Sequence, residues 1–339
     1  MRDLFNLHNF YNIDIFNKSS KKPYITCKSF GYQVLGFGSG GASGPPAPTQ
    51  KAIFGFGAGA SYTAISNLVS SSGVVATDTA GVGTARNYLA CVSYGGDKAI
   101  FAFGYSASSP AQAGMSNLVS NSGVVSSDVT AVGSARNGPA GCSFGSDGQA
   151  VIAYGNLGGA PGVTSISNLI SSVGVVSSDV TGVGTVRVST ACAPYGVGLG
   201  IFCYGNNASV QSNKVSNLGV VAADVSAAGT RRWELGGCGY GTDKGIFWGG
   251  YPPSGFQGTN LVTNLGVIGS DVTAVGTGRQ YCSMSSYGGD KAIGAFGAYT
   301  GGQTNISNLI SSSGVMAADT TGVGTARQSS AAAGYSQIA

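Results

Sequence analysis

The apolar residues of this chain fall into short runs that return along the sequence, with turn-forming residues between them. One run, AIFAFG at residues 99–104, places aromatic side chains at alternate positions, a period-2 pattern that predicts a buried β-strand. The Gly-Asp-Lys sequence before it suits a tight hairpin connection. Similar runs end in glycine at residues 54–57, 152–155, 202–205, 247–250 and 294–297. The pattern therefore predicts an all-β chain of short antiparallel strands.

A charged pair marks each copy of this pattern. An aspartate is followed eight residues later by an arginine at six places, and successive arginines are 45 to 51 residues apart. A period of this length indicates a repeat architecture. The six pairs are Asp78/Arg86, Asp128/Arg136, Asp179/Arg187, Asp224/Arg232, Asp271/Arg279 and Asp319/Arg327.

One repeat, read from Arg86, contains four predicted strands. An alternating stretch of small and apolar residues that ends at 94–95 is the first, and the run at 99–104 is the second. Residues 116–119 and 123–125, on either side of a Ser-Asn-Ser-Gly turn, are the third and the fourth. Four short antiparallel strands in this length suit one blade of a β-propeller. Six copies therefore predict six blades.

The two ends of the repeat region predict how such a ring closes. The first set of strands begins at Lys51 without an arginine-led strand before it, whereas residues 327–335 supply such a strand. We expect this C-terminal strand to complete the first blade, which removes exposed sheet edges. The expected fold is an all-β, six-bladed propeller of four-stranded antiparallel blades over residues 51–339, with an N-terminal extension.

Two further residue types recur with the repeat. The third-strand asparagine is expected at Asn67, Asn117, Asn168, Asn217, Asn264 and Asn308. On this alignment, repeats four and five have four fewer residues between asparagine and glycine, which predicts shorter hairpins. Five of the seven cysteines follow the repeat arginines, at Cys91, Cys142, Cys192, Cys238 and Cys282. Because they fall on equivalent strands of different blades, we expect unpaired, buried cysteines.

The repeat resembles that of the kelch-type propeller. The similarity rests on the arginine before the first strand, on the hydrophobic second strand that ends in glycine, and on the repeat length, and it covers residues 51–339. The kelch double glycine is kept only at 249–250, and the fourth-strand tryptophan is absent, so the resemblance is to a divergent relative. The sequences SNLVSSSGVV, DTTGVGTAR and YGGDKAI are also similar to propeller repeats in tail and appendage proteins of tailed bacteriophages.

The distribution of charge narrows the classes of function. Charged residues make up 9% of the chain, and residues 51–339 hold twelve basic and eleven acidic side chains. A region so close to neutrality lacks the basic surface that nucleic-acid binding needs. No apolar run approaches the ~18 residues of a membrane span. We therefore expect neither a nucleic-acid partner nor membrane insertion.

The acidic residues leave little for catalysis. Of the eleven, six are the repeat aspartates, four occur in the first hairpin turn, and only Glu234 lies outside the repeat; the single histidine is His8. Acid–base catalysis needs a carboxylate pair, or a base beside its nucleophile, and such groups should break the repeat. Zinc or copper would need cysteine or histidine spacings that are missing. The sequence predicts a protein without enzymatic activity, cofactor or metal site.

The repeated aspartates and arginines have two interpretations. Arginine matches carboxylates with its planar fork and also donates to backbone carbonyls, so six copies predict a structural joint between strands or blades. The alternative follows from the kelch resemblance, because kelch-type domains use arginines near this position to hold acidic peptides. On that view the six arginines surround a channel mouth and bind an anionic ligand.

One repeat differs from the others in a way that predicts a binding site. The loops between the second and third strands differ among the six copies while the scaffold is constant, and such variation suits ligand binding. The alternative is that these loops simply tolerate change. Aromatic side chains beside a few polar groups suit a weakly charged partner such as a glycan or a protein. The candidate ligand-binding residues are Arg231, Trp233, Glu234, Tyr251 and Phe256, and we expect the other tryptophan, Trp248, in the core.

The N-terminal region has a composition of its own. Residues 1–30 are rich in Phe, Asn and Ile, and residues 31–50 contain GSGGASGPPAP, which predicts a flexible and then stiff linker. Exposed aromatic residues at this density need a partner surface, so residues 1–30 are predicted to be a docking segment. Its aromatic residues include Phe5, Phe10, Tyr11 and Phe16. The alternative is an additional strand at 32–38 that packs on the ring.

Together these features predict a non-enzymatic virion component of a tailed phage, such as a tail fibre, spike or capsid decoration. The docking segment would attach it to other virion proteins, and the variable face would bind a host-surface glycan or a virion protein. It would be made in the host cytoplasm and act in the extracellular particle, as a monomer or a homo-oligomer. The alternative is a cellular kelch-like scaffold that binds a peptide on the same face.

Overall fold

The computed structural model describes residues 47–108, 111–130, 133–159, 162–206, 210–252 and 255–339. Every regular element in these ranges is a β-strand, as the alternating pattern predicts, and no described helix could cross a membrane. The strands are β1 (Lys51–Ala58), β2 (Tyr62–Val69), β3 (Arg86–Asn87), β4 (Ala90–Tyr94), β5 (Lys98–Ala102), β6 (Tyr105–Ser106), β7 (Met115–Val119), β8 (Val129–Thr130), β9 (Ala140–Phe144), β10 (Gln149–Asn156), β11 (Val163–Ile170), β12 (Ala191–Tyr195), β13 (Leu199–Cys203), β14 (Gln211–Val215), β15 (Val225–Ser226), β16 (Gly236–Tyr240), β17 (Lys244–Trp248), β18 (Gly258–Val262), β19 (Val272–Thr273), β20 (Ser283–Tyr287), β21 (Lys291–Ala295), β22 (Ala298–Tyr299), β23 (Gly302–Gln303), β24 (Ser307–Ile310) and β25 (Ala331–Tyr335).

Antiparallel sheets of three or four strands contain most of these strands. The strand orders are β25–β1–β2 in sheet 1, β4–β5–β7–β8 in sheet 2, β9–β10–β11 in sheet 3, β12–β13–β14–β15 in sheet 4, β16–β17–β18–β19 in sheet 5 and β20–β21–β24 in sheet 6. Each sheet comes from one repeat, except that the last strand of the chain lies in sheet 1. Two small sheets, β3–β6 and β22–β23, lie in the loops.

Sheet 1 joins the beginning and the end of the repeat region. β25 pairs antiparallel with β1, with Ala332 opposite Phe54 and Tyr335 opposite Lys51. Just outside these strands, the Gln50 amide donates to the carbonyl of Ser336 at 2.7 Å. The C-terminal strand therefore completes the first sheet, as the sequence predicts, and β1 has a hydrogen-bonded partner on each edge.

The first strands of the sheets contact one another in a cycle. β4 contacts β9, and the contacts continue through β12, β16, β20 and β25 back to β4. The hairpin turns at one end of these strands follow the same cycle through backbone hydrogen bonds of 2.7–2.9 Å. The donor and acceptor residues are Gly95 and Gly148, Gly145 and Gly198, Gly196 and Asp243, Gly241 and Asp290, Gly288 and Gln50, and Ser336 and Asp97. Gln50 and Ser336 thus take the place of a sixth hairpin.

The core lies between neighbouring sheets and explains why the second strand of each repeat is so apolar. In β5 every residue after Lys98 is buried, since sheets pack on both of its faces. Ile100, for example, belongs to the same apolar cluster as Ile152 of sheet 3. β4, in contrast, alternates buried and partly exposed residues, because one of its faces borders a central cavity.

The fourth strand lies later in the repeat than the sequence predicts. In sheet 2 it is the two-residue strand β8, and the expected segment 123–125 forms only an isolated bridge. The side-chain amide of Asn117 donates to the Ser126 carbonyl at 3.0 Å and to Asp128 at 2.9 Å. Because a side chain occupies this carbonyl, the regular ladder resumes only after Asp128. In sheets 1, 3 and 6 the fourth strand is reduced to a single bridge, and these bridges are Ser66–Thr79, Ser167–Val180 and Ser307–Thr320.

The expected positions of two repeat asparagines are also wrong. The buried asparagines of sheets 4 and 5 are Asn213 and Asn260, rather than Asn217 and Asn264, and each donates at 2.9 Å to the repeat aspartate of its sheet. These repeats contain the dipeptide Ser-Asn or Thr-Asn twice, and only the first copy falls on the third strand. The hairpins of sheets 4 and 5 are therefore as long as the others.

Candidate binding site

A hydrogen-bonded joint of repeat residues ties the start of a sheet to its outer strands, although in sheet 3 Arg136 donates to the Ile152 carbonyl instead of to Asn168. In sheet 2, Arg86 donates to Asn117 Oδ1 (2.7 Å) and to the Phe103 carbonyl (2.8 Å). Asn117 donates in turn to Asp128 Oδ1 (2.9 Å), and the other carboxylate oxygen accepts from the Thr84 hydroxyl (2.7 Å). The segment that enters the first strand is thereby bound to the third strand and to the approach to the fourth.

The arginine and the aspartate of a joint come from successive copies of the charged pair. Arg86 Nη1 lies 3.8 Å from Asp128 Oδ1, and Arg232 Nη1 lies 3.7 Å from Asp271 Oδ1. An aspartate and the arginine eight residues after it belong instead to joints in two neighbouring sheets. The short sequence spacing therefore marks the crossing from one sheet to the next.

The repeat arginines are enclosed by the protein. Each of the six is 0% exposed, and its guanidinium lies 3.8–4.6 Å from the centre of an aromatic ring in the preceding sheet. The pairs are Arg86–Phe56, Arg136–Phe103, Arg187–Tyr154, Arg232–Tyr204, Arg279–Trp248 and Arg327–Phe296. These stacked pairs hold neighbouring sheets together. Because no guanidinium surface is accessible, the geometry favours the structural interpretation over a channel mouth that binds anions.

Burial and hydrogen bonding shift the pKa values of the arginine and the aspartate of a joint. Burial lowers the pKa of Arg86 to about 10, and the charge of Asp128 opposes this shift. Burial also opposes ionisation of Asp128, but hydrogen bonds from Thr84 and Asn117, with the charge of Arg86, outweigh it and lower the pKa of this carboxyl. Both groups are charged at neutral pH, so each joint needs its two partners.

A cycle of backbone hydrogen bonds lies two residues after each arginine. Each amide donates to the carbonyl of its counterpart in the preceding sheet at 2.7–3.1 Å. The φ angles of these residues are 50–63°, a left-handed conformation that is uncommon outside glycine. Such repeated strain is kept only where the surroundings impose it. The six-residue ring consists of Tyr88, Gly138, Ser189, Glu234, Tyr281 and Ser329.

The six-residue ring borders a cavity of about 80 Å³, the ring pocket, whose lining includes Tyr88, Glu234 and Tyr281. The two tyrosine rings lie 5.8 Å apart, with their planes at 78°. Burial raises the pKa of Glu234 to about 7, and a hydrogen bond with Tyr281 opposes part of this shift. Thr190 and Ser329 also line the pocket, and the buried hydroxyl oxygen of Thr190 has no hydrogen-bond partner among the described residues. The Ser329 hydroxyl interacts with that of Tyr88.

Three of the predicted binding residues form an aromatic surface. The backbones of Trp233 and Tyr251 exchange hydrogen bonds of 2.8 and 2.9 Å, and their rings meet edge to face at 5.3 Å. The Arg231 guanidinium lies 5.3 Å from the centre of the Trp233 ring. Phe256 instead packs at 4.5 Å on the buried repeat arginine of its sheet. The structure thus joins Arg231, Trp233 and Tyr251, whereas Glu234 belongs to the ring pocket.

Sequence reasoning selected Glu234 but missed the other residues of the ring pocket. Tyr88, Tyr281 and Ser329 occupy the same repeat position as Glu234, and Thr190 follows that position in sheet 4. The signal was available: two residues after a constant arginine, the six copies read Tyr, Gly, Ser, Glu, Tyr and Ser. Variation beside a constant residue deserved the same weight as variation in the long loops.

A larger cavity of about 500 Å³ lies between the first strands, and Cys142 and Cys192 are among the residues that line it. The described repeat cysteines are unpaired, as expected, and all except Cys91 are buried. The close approach of this pair, whose Sγ atoms lie 2.6 Å apart, was not expected. β9 and β12 are neighbours in the cycle of sheets. Gly200 makes room for the Cys142 sulfur, since a Cβ there would come within 2.4 Å of it. The described part of the chain holds no cluster of metal-binding side chains.

The predicted docking segment, with Phe5, Phe10, Tyr11 and Phe16, lies outside the described residues, as does most of the linker. The described end of the linker, residues 47–49, borders the larger cavity. Comparisons of the chain with protein-family models and with curated protein sequences found no match. The geometry of the site must therefore support any functional assignment.

Proposed function

We propose that the chain is a six-bladed β-propeller that serves as a non-enzymatic, glycan-binding component of a tailed-phage particle. The six blades are supported by the cycle of first-strand contacts and by the two cycles of backbone hydrogen bonds. Closure of this kind protects sheet edges in propellers. The similarity of the repeat to those of phage tail and appendage proteins supports the location in a virion, such as a fibre, spike or capsid decoration.

The aromatic surface is the observation on which the binding role rests. Tyr251 is 39% exposed and is held in place by its contact with Trp233. Such a pair offers an apolar face that suits one side of a sugar ring, while Arg231 supplies hydrogen-bond donors for sugar hydroxyls. A glycan is weakly charged, as is the propeller itself, so the expected recognition needs no strong electrostatic field.

The non-enzymatic part of the proposal rests on the assignment of the charged residues. The six repeat arginines are buried, and Arg86 and Arg232 form ion pairs with repeat aspartates. Glu234 is the one acidic residue of residues 51–339 outside the repeat. A single carboxyl group does not supply the pair that glycoside hydrolysis uses.

Glycan-array binding by the full chain tests this proposal. Trp233→Ala and Tyr251→Ala should each reduce binding at least tenfold, because each removes one half of the aromatic surface. Tyr299→Ala is the matched control, since Tyr299 is 38% exposed in the corresponding loop region of sheet 6. Equal losses in all three variants, or in none, would remove the aromatic surface as the site.

The salt dependence of binding separates a glycan from the runner-up, an acidic peptide bound by a kelch-like scaffold. Binding of a charged peptide should weaken as the salt concentration rises, whereas contacts between a neutral sugar and aromatic rings should hardly change. Attachment to the particle is tested by removing residues 1–46. The shortened chain should keep its glycan binding and fail to enter virions; normal incorporation would exclude the docking role.

A further inference from the structure

The ring pocket brings two aromatic rings and a carboxyl group together. Its walls include two tyrosine rings at nearly right angles, 5.8 Å apart, and the half-buried carboxyl group of Glu234. Aromatic faces and a carboxylate both attract a cation, and together they are the usual surroundings of a bound ammonium group. The lining contains no lysine or arginine among the described residues, so no resident cation neutralises Glu234.

A buried hydroxyl group in the same pocket lacks a hydrogen-bond partner. Thr190 is 6% exposed, and its side-chain oxygen is buried and has no partner among the described residues. Buried polar atoms are rarely left without a partner. A pocket of about 80 Å³ has room for a small polar group that satisfies this hydroxyl. This is an observation independent of the carboxyl group and it also indicates a ligand.

We propose that the ring pocket binds the protonated amino group of an amino sugar, with the Glu234 carboxylate as its counter-ion and Tyr88 and Tyr281 as its aromatic walls. Thr190 is placed to bond a hydroxyl group next to that amine. Glu234 directly follows Trp233 in the chain, so one backbone segment carries both the aromatic surface and the counter-ion of the pocket. The inference deepens the proposed function and rests on it for the choice of a sugar over another amine.

Binding of an amine should depend on pH in a specific way. The other titratable side chains that line the pocket are Tyr88, Tyr281 and Cys282, and burial raises the pKa of all three, so they stay neutral at neutral pH. Glu234 is then the group that titrates. Affinity should fall below pH 7 as this carboxyl takes up a proton, and it should fall again at high pH as the amine loses its own.

A titration of the full chain with glucosamine, followed by NMR, tests the assignment at several pH values. We expect saturable binding that is at least tenfold weaker for N-acetylglucosamine, whose nitrogen carries no charge. Glu234→Gln, which keeps the shape of the side chain, should weaken glucosamine binding at least tenfold and abolish the loss of affinity below pH 7. Asp147→Asn, a change of the same type in an exposed hairpin turn, should change neither.

The other possible results either contradict the inference or show whether the pocket or the proposed function is wrong. Equal binding of the two sugars, or normal binding by Glu234→Gln, would overturn it. Tighter binding of Nα-acetyl-lysine amide than of glucosamine would assign the pocket to a protein side chain and overturn the amino-sugar class. A glycan array that responds to Trp233→Ala but not to Glu234→Gln would leave the proposed function intact and reject the pocket. Glucosamine binding that depends on Glu234, without any binding on the glycan array, would support the pocket and reject the proposed function.

Discussion

The Tyr88 amide donates to the Ser329 carbonyl at 3.1 Å and so links the first arginine-led strand to the last. At the opposite end of these strands, the Ser336 amide donates to the Asp97 carbonyl at 2.8 Å. β25 lies between Ser329 and Ser336 and also pairs with β1. The residues on either side of the last strand therefore supply the backbone hydrogen bonds that complete both cycles.

Removal of residues 331–339 should prevent formation of a stable fold. The deletion leaves one edge of β1 without a partner and removes Ser336 from the cycle of hairpin turns, and an exposed edge promotes aggregation. We expect no cooperative thermal transition by circular dichroism and large aggregates by size-exclusion chromatography. Deletion of residues 337–339 alone, which keeps β25 and Ser336, should leave a cooperative transition. A chain shortened to residue 330 that melts like the full chain would contradict this account of closure.

The repeat aspartates should make the protein sensitive to acid. Hydrogen bonds and the arginine charge outweigh burial and lower the pKa of all six carboxyl groups. Between the folded and the unfolded pKa values, the unfolded chain binds more protons than the folded one. The contribution of these carboxyl groups to the free energy of unfolding is therefore complete above the unfolded pKa of ~3.9 and is lost as the pH falls through the folded values. Urea unfolding between pH 2 and 6 should show a steep loss of stability below pH 4.

A single joint can be tested in the same way. Asp128→Asn removes the charge that faces the buried Arg86 and should cost about 2 kcal/mol at pH 7, with a smaller difference at pH 3. Asp147→Asn, in an exposed turn, is the control and should lie within about 0.5 kcal/mol of the wild type. If both variants have the same unfolding free energy at pH 7, the joint does not stabilise the sheet.

The first three strands of a repeat and the place of the last strand in sheet 1 could be predicted because local pattern determines them. The apolar second strand, the turn residues and the incomplete first repeat all lie within short segments around Lys51, 99–104 and 327–335. The structure confirms an all-β chain of antiparallel sheets, with β25 in the first of them. Period and alternation need no knowledge of distant contacts.

The relationships that could not be predicted all depend on how the chain returns to itself. Arg86 meets Asp128, the aspartate of the next charged pair, because the fourth strand comes back to the entrance of the first. Asn217 looked like the repeat asparagine by its sequence, yet the register of β14 buries Asn213. The ring pocket assembles residues from all six sheets, including Tyr88 and Tyr281, and no local pattern brings them together.

Glu234 should lower the stability of the unliganded protein as the pH rises from 5 to 8. Burial raises its pKa to about 7, above the ~4.3 of an unfolded glutamate, so the folded state holds the proton more tightly. The resulting contribution is complete below the unfolded pKa and is lost as the pH rises through 7. Chemical unfolding at pH 5 and pH 8 should show a smaller decrease for Glu234→Gln than for the wild type. Parallel behaviour of the two proteins would mean that Glu234 is not desolvated in the pocket.

Cys142 and Cys192 should form a disulfide that links sheets 3 and 4. Their sulfur atoms are already in contact at 2.6 Å, and oxidised glutathione would accept the two electrons as each thiol loses its proton, which yields two molecules of reduced glutathione. Burial raises the pKa of Cys192, so the reactive thiolate is scarce and oxidation should be slow at pH 7 and faster at pH 9.

Peptide mapping by mass spectrometry should find this cross-link and no other among the described cysteines. The bond closes a loop of one repeat and should stabilise the protein by up to about 4 kcal/mol. Cys142→Ser is the control, in which oxidant should change neither the map nor the melting temperature. Detection of a different pair, or of mixed disulfides with glutathione at both positions, would show that the two first strands do not approach each other as closely as their sulfur atoms indicate.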